Sequence, residues 1–196
     1  MSDAEEDDNP LEVTAISKPK PQPYYPISAL AWTRICNELG LTKRPQKVGT
    51  LQKKCILGKP KKLLNVVGEG NCLFCALSLY VSGTQENHSR LHKLILDHMR
   101  KMGKKKLDGF LDTSVNSYVR NSGMSIYGQW GTEVEILAAA NLMGQDIMVY
   151  SHWGNLGLHW QRFPSKDGFK ENPTGCIYLD NHTRDHYQVV ASVQLK

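Results

Sequence analysis

Cys72 opens a dense apolar run, Cys72-Leu73-Phe74-Cys75-Ala76-Leu77, directly after the turn residues Gly68-Glu69-Gly70-Asn71. Before the turn, Leu63 to Val67 reads as a short strand. Two glycines permit a tight turn with positive φ, and the residues from Cys72 onward are too apolar for a loop and read as a buried helix. A cysteine at such a strand–turn–helix crossing meets unpaired N–H groups and the positive end of the helix dipole, which favour an anion there. Nucleophilic catalysis from that position needs a base within hydrogen-bond reach and a third group to orient the base. Of the seven histidines, His186 has the most suitable setting. It comes after the polar turn Asn181-His182-Thr183-Arg184-Asp185 and starts the apolar strand His186-Tyr187-Gln188-Val189-Val190.

The same cysteine supports three other readings. Cys72-x2-Cys75-x12-His88-x3-His92 has the ligand spacing of a zinc finger. However, Gly70 and Gln85 stand where a finger needs an aromatic residue and a leucine, and Ser82-Gly83 breaks what should be one helix. Cys72-x-x-Cys75 opening a helix is also the arrangement of a thiol–disulfide exchanger. That fold needs alternating strands and helices, whereas the strand-like segments here come late and clustered. The last reading is a buried, inert thiol. No metal and no cofactor is expected.

The elements that must position these residues are read from periodicity. Residues 1–25 combine an acidic start with Lys18-Pro19-Lys20-Pro21-Gln22-Pro23 and are expected to be a disordered tail, leaving 26–196 as one domain. Ile27 to Leu39 has a helical period ending at Gly40. Thr84 is expected to cap a helix running to Met102, and a short helix is expected around Phe110 to Tyr118. Thr132 and Glu135 form a capping-box pair for the helix that ends at Gly144. Ile147–Tyr150, Leu158–Phe163, Cys176–Leu179 and His186–Val193 read as strands. Helices followed by a run of strands predict an α+β domain with one central sheet. Within this chain, Glu133 and Glu135 are read as capping carboxylates rather than an acid/base pair.

Composition bounds the function further. The 196 residues carry a net charge of +5 and five cysteines at irregular spacing, which does not make a disulfide framework. No apolar run approaches the roughly 18 residues of a membrane helix. The N-terminus has neither a secretory nor a transit pattern, so a cytoplasmic or nuclear location and no membrane partner are expected. Lys43 to Lys62 holds eight Lys or Arg and no carboxylate, and Lys101 and Lys104–Lys106 form a second cluster. Without interleaved aromatics these lysines read as solvated loops, and nucleic-acid binding is not expected.

Four segments, in order, carry a family resemblance. Gly68-Glu69-Gly70-Asn71-Cys72-Leu73-Phe74 resembles the D-G-N-C-(L/F)-F signature of ovarian tumour (OTU) family cysteine proteases. Thr84 to His88 is similar to that family's second helix, Trp130-Gly131-Thr132-Glu133-Val134-Glu135-Ile136 to its W-G-(T/D)-x-x-E-(I/L) segment, and Asp185-His186-Tyr187 to its H-Y motif. The resemblance implies a papain-like OTU fold with a central, mostly antiparallel sheet packed between helices. It implies a deubiquitinating thiol protease with Cys72 as nucleophile and His186 as general base. Backbone N–H groups of the Glu69–Cys72 loop, with Gly70 and Asn71, would hold the oxyanion, and Trp130 and Tyr187 would wall the channel for the substrate tail. The implied partner is ubiquitin, ubiquitin chains or a ubiquitin-like modifier, and the expected assembly is a monomer. The departures are Glu69 where the family has Asp, Gln188 two residues after the histidine, and Cys75 for a common Arg. Glu69 is the expected third catalytic member and Gln188 its alternative. The rival reading is an OTU-like module that binds ubiquitin with weak or no catalysis.

Overall fold

Helices dominate the first two thirds of the chain and most of the sheet comes late. In the computed structural model the structure describes residues 22–48, 55–103, 107, 110–152, 154, 157–165 and 175–194. The predicted tail therefore lies outside the described residues up to position 21, as do residues 49–54 of the basic stretch and Lys104–Lys106.

Structure begins earlier than the periodicity suggests. Strand β1 (Pro23–Tyr24) falls inside the predicted tail, and Tyr24 is buried with its ring 4.7 Å from that of Tyr178. Helix α1 (Ala29–Leu39) starts at Ser28, whose hydroxyl accepts the Ala31 N–H, and stops at Gly40. It buries Ala31, Ile35, Cys36 and Leu39, the stripe that a 3.6-residue period requires. Strand β2 (Cys55–Ile56) pairs antiparallel with β1. Strand β3 (Pro60–Leu64) lies three residues upstream of the predicted strand. Val66 is apolar because it enters the core, not because it pairs, and Val67 gives its N–H to the Gln85 side chain.

Helix α2 (Cys72–Ser82) is buried at every position, as expected for a helix apolar all round. Helix α3 (His88–Met102) starts four residues after its predicted cap. The Thr84 hydroxyl accepts the Glu86 N–H, while the Asn87 amide is pulled outward to the Thr42 backbone by bonds of 3.0 and 2.9 Å. Helix α4 (Val115–Asn121) is set by the Ser114 hydroxyl, which accepts the Ser117 N–H, so it lies C-terminal to the predicted position. Helix α5 (Glu133–Met143) has the predicted capping box and ends at Gly144.

The remaining strands are β4 (Asp146–His152), β5 (Leu158–Phe163), β6 (Cys176–Asn181) and β7 (Gln188–Val193). They join β3 in a five-stranded sheet of order β3-β7-β6-β4-β5, in which only the β4–β6 pair is parallel. Pairing on β7 starts two residues later than predicted, so His186 stands just ahead of the ladder. Consecutive residues of both parities are buried on β4 (Ile147–Tyr150), β6 (Ile177–Asp180) and β7 (Val189–Ala191), so the middle of the sheet is covered on both faces. This is the predicted α+β class with a mostly antiparallel central sheet. Among the described residues no helix is long and apolar enough to cross a membrane.

Candidate active site

The connection from β3 to α2 carries the predicted nucleophile, and the approach to β7 carries the predicted base. Cys72 is the first residue of α2 and is 4% exposed. Asn71 occupies the cap position but makes no capping bond, so among the described residues no side chain caps the first turn of this helix. Asn71 works elsewhere. Its Oδ1 accepts the Gly128 N–H at 3.1 Å and its Nδ2 donates to the Glu69 carbonyl at 3.3 Å, tying the loop before Cys72 to the loop before α5.

Gly70 shows how close those loops lie. Its φ is +75°, and a Cβ there would stand 2.0 Å from the Gly128 carbonyl oxygen and 2.6 Å from its carbon. Only a glycine satisfies both the dihedral and the contact. Gly131, in the next segment, lies against α2 in the same manner, since a Cβ would come within 2.3 Å of Leu73 Cδ2. The Trp130 segment is thereby packed onto the residue following Cys72.

His186 reaches the same loop from the other side. A Cβ built on Gly68 would stand 3.5 Å from His186 Cε1 and 3.6 Å from Nδ1, so the Nδ1 edge of the imidazole rests on the chain four residues before Cys72. Among the described residues the ring makes no hydrogen bond. The next residue, Tyr187, is packed against the core; burial, followed by the charges of Glu133 and Cys72, holds its phenol well above the usual value. Tyr187 is thus partly buried, while Trp130 is 57% exposed at the surface.

The candidate third members diverge. Glu69 is exposed and lines a cavity of about 230 Å³ with Asn71, Cys75, Gln85, Glu86 and Tyr127. Among the described residues its carboxylate makes no hydrogen bond to His186. Gln188 opens β7 and is the registered partner of Asp180 on β6. Asp180 is 2% exposed, and its Oδ2 lies 2.5 Å from His182 Nδ1. Sequence reasoning missed Asp180; the available signal was a carboxylate ending the apolar strand Cys176-Ile177-Tyr178-Leu179.

The two thiols of the Cys72-x-x-Cys75 run are not equivalent. Burial, then the neighbouring Cys72 and Glu69, pushes the Cys75 thiol up to about 11, which keeps it protonated at neutral pH. The two histidines of the zinc spacing each have protein partners. His88 sits between the Gln85 carbonyl and the Tyr127 hydroxyl at 2.9 and 3.1 Å, and His92 stacks on Phe74 with its Nε2 2.8 Å from the Met124 carbonyl. Glu135 is fully buried in the capping box. Its Oε2 accepts from Thr132 N, Thr132 Oγ1 and Tyr118 Oη at 2.8, 2.9 and 3.2 Å, and burial raises its pKa.

Comparison with known proteins adds an independent line. The family model described as OTU-like cysteine protease matches residues 67–187. Among curated proteins, the chain is 24% identical over 131 residues to the OVARIAN TUMOR DOMAIN-containing deubiquitinating enzyme 7 of Arabidopsis thaliana, and 26% identical over 127 residues to enzyme 10 of that series from the same plant. The matches cover 67% and 65% of this chain but 33% of each relative, so the chain spans about a third of their length. Among solved structures, the OTU domain of OTUD1 superposes with a TM-score of 0.54 at 18% identity, over 65% of this chain and 83% of that one. The viral OTU domain protease of Dera Ghazi Khan virus gives 0.54 at 15% identity, over 69% and 81%. The fold is the one these domains share.

Proposed function

We propose, on the premise that this chain belongs to the OTU-like cysteine protease family, that it hydrolyses the isopeptide or peptide bond following the C-terminal glycine of ubiquitin or a ubiquitin-like modifier. One observation carries this reading. The imidazole of His186 packs by its Nδ1 edge on Gly68, in the loop that delivers Cys72 to the start of a helix. The relatives named as deubiquitinating enzymes support the substrate class.

In this reading His186 takes the proton of Cys72 and the sulfur attacks the scissile carbonyl carbon. The carbonyl oxygen becomes an oxyanion and is held by backbone N–H groups between Glu69 and Cys72, where Gly70 brings the main chain close. The imidazolium then protonates the departing amine, and the C–N bond breaks to leave a thioester. Water, deprotonated by His186, cleaves the thioester and restores the thiol. The exposed Trp130, on the segment packed against Leu73, and Tyr187, next to His186, are the proposed walls of the channel to the sulfur. The Glu69 carboxylate lines the cavity on the Cys75 side, which favours Gln188 as the residue that orients His186.

The test is a ubiquitin probe ending in a thiol-reactive electrophile. The expected result is one covalent adduct on Cys72, lost in Cys72→Ala and His186→Ala. A chain that binds ubiquitin but leaves the probe unreacted is instead the binding module. The absence of any orienting hydrogen bond on His186 among the described residues is the observation that favours this rival.

A further inference from the structure

Asp180 is a buried carboxylate that the proposed reaction does not use, and the sheet register sets it beside the strand that follows the proposed base. Strand β6 pairs with β7 through Leu179↔Val189 and Asp180↔Gln188, so the Asp180 and Gln188 side chains leave the sheet on one face as direct neighbours. Cross-strand Cβ atoms are about 5 Å apart, within the combined reach of a carboxylate and a glutamine amide. His186 lies two residues before Gln188, just ahead of the ladder, and such positions are about 7 Å apart along an extended chain.

Three hydrogen-bonding groups on this line are unused. Asp180 Oδ2 is engaged by His182, but among the described residues Oδ1 has no partner, nor has the Gln188 amide, nor the His186 ring. The Nδ1 edge of that ring faces Gly68, which leaves Nε2 for an orienting group.

Resting on the cysteine-protease reading, we propose that Asp180 is a positioning residue for His186, acting through Gln188. A turn of the Gln188 side chain from the unbonded position it has here would let its Oε1 accept the His186 Nε2–H and its Nε2 donate to Asp180 Oδ1. An amide alone fixes the tautomer of the imidazole but supplies no charge; the carboxylate behind it polarises the amide and stabilises the imidazolium. The groups facing Asp180 are Tyr150 from β4, His182 from the turn after β6, and Gln188 from β7.

The experiment measures kcat/KM against pH for the full chain, using ubiquitin carrying a C-terminal fluorogenic amide. In Asp180→Asn the alkaline limb of the profile is expected to move by roughly one unit toward acid, and kcat to fall about tenfold with KM unchanged. In a Gln188→Leu background the Asp180→Asn change has no further effect, and Gln188→Glu restores the limb in Asp180→Asn. Thermal unfolding runs in parallel. If Asp180→Asn does not fold, the proposal stands or falls on Asp180→Ser, which also removes the charge and must shift the limb by the same amount in the wild-type background and not in the Gln188→Leu background. An unmoved limb in these variants, or losses that multiply independently, overturns the proposal while leaving the protease reading intact. A wild-type chain inert to both substrate and probe overturns both.

Discussion

Replacing Gly70 by alanine tests whether the loop before Cys72 is held by its contact with the loop before α5. The added methyl meets two obstacles. At φ +75° an L-residue costs about 1 kcal/mol or more relative to glycine. Its Cβ would also stand 2.0 Å from the Gly128 carbonyl oxygen, about 1 Å inside any tolerable contact, and the obstruction is backbone that cannot rotate aside. The loops must therefore part. That breaks the 3.1 Å bond from Gly128 N–H to Asn71 Oδ1 and leaves a buried amide without its partner, a loss of about 1–3 kcal/mol. The expected destabilisation of Gly70→Ala is about 3 kcal/mol, read from denaturant midpoints. The oxyanion-facing N–H groups move with the loop, so kcat should fall about a hundredfold in the fraction that remains folded. Two controls separate dihedral from clash. Gly128→Ala carries a φ of +89° but no clash, since its nearest contact is 3.6 Å, and should cost about 1 kcal/mol. Gly68→Ala places its methyl at 3.5 Å from His186 and should change stability by less than about 0.5 kcal/mol. Equal costs at all three positions, or a fully active Gly70→Ala, would show that the contact with Gly128 does not hold the loop.

Cys75→Ala should keep full labelling by the ubiquitin probe, because the Cys75 thiol stays protonated at neutral pH; loss of labelling there, with Cys72→Ala still labelled, would exchange the roles of the two thiols. Stability should fall in alkali. Burial is the leading cause in raising Cys75 and Cys176 from 9.0 to about 11, and Tyr24 and Tyr118 from 10.0 to about 12. The folded state keeps these protons after the unfolded chain has lost them, so stability is fully present below about pH 9 and drains away as pH rises toward about 11–12. Denaturant midpoints at about pH 8 and about pH 10.5 measure the fall, and an unchanged midpoint removes burial of these groups as a source of stability.

Local signals were legible in the chain and long-range ones were not. The helix opened by Cys72 and the capping box of Thr132 and Glu135 each depend on residues within one turn of one another, and both occur as predicted. Strands β1 and β2 have two residues each, too few for any period, and Tyr24 is buried by pairing and by Tyr178, which lies far along the chain. Val66 shows the same limit from the other side, since an apolar residue next to a strand can enter the core without joining the ladder. Glu69 and Gln188 could be nominated from their positions near Cys72 and His186. Which of them faces the imidazole depends on register, and the Asp180↔Gln188 pairing is written nowhere in the local sequence.

The caps of the helices separate structure from function more sharply than the motif does. Ser28, Ser114 and Thr132 each accept an N–H of the helix they begin. At α2 and α3 the cap position holds an asparagine, a good capping residue, yet neither asparagine caps. Asn87 spends its amide on Thr42, fixing the entry of α3 against the chain after α1. Asn71 likewise turns away, to Gly128 and Glu69, and so forgoes about 1 kcal/mol of helix stabilisation. The consequences differ with the first residue of each helix. His88 begins α3 bound to Gln85 and Tyr127, whereas Cys72 begins α2 where, among the described residues, no side chain caps the N–H donors of the first turn. A capping bond at α2 would satisfy those donors within the resting protein. On the proposed mechanism these donors stand at the same helix start as the loop N–H groups assigned to the oxyanion, and would add to their interaction with negative charge developing there.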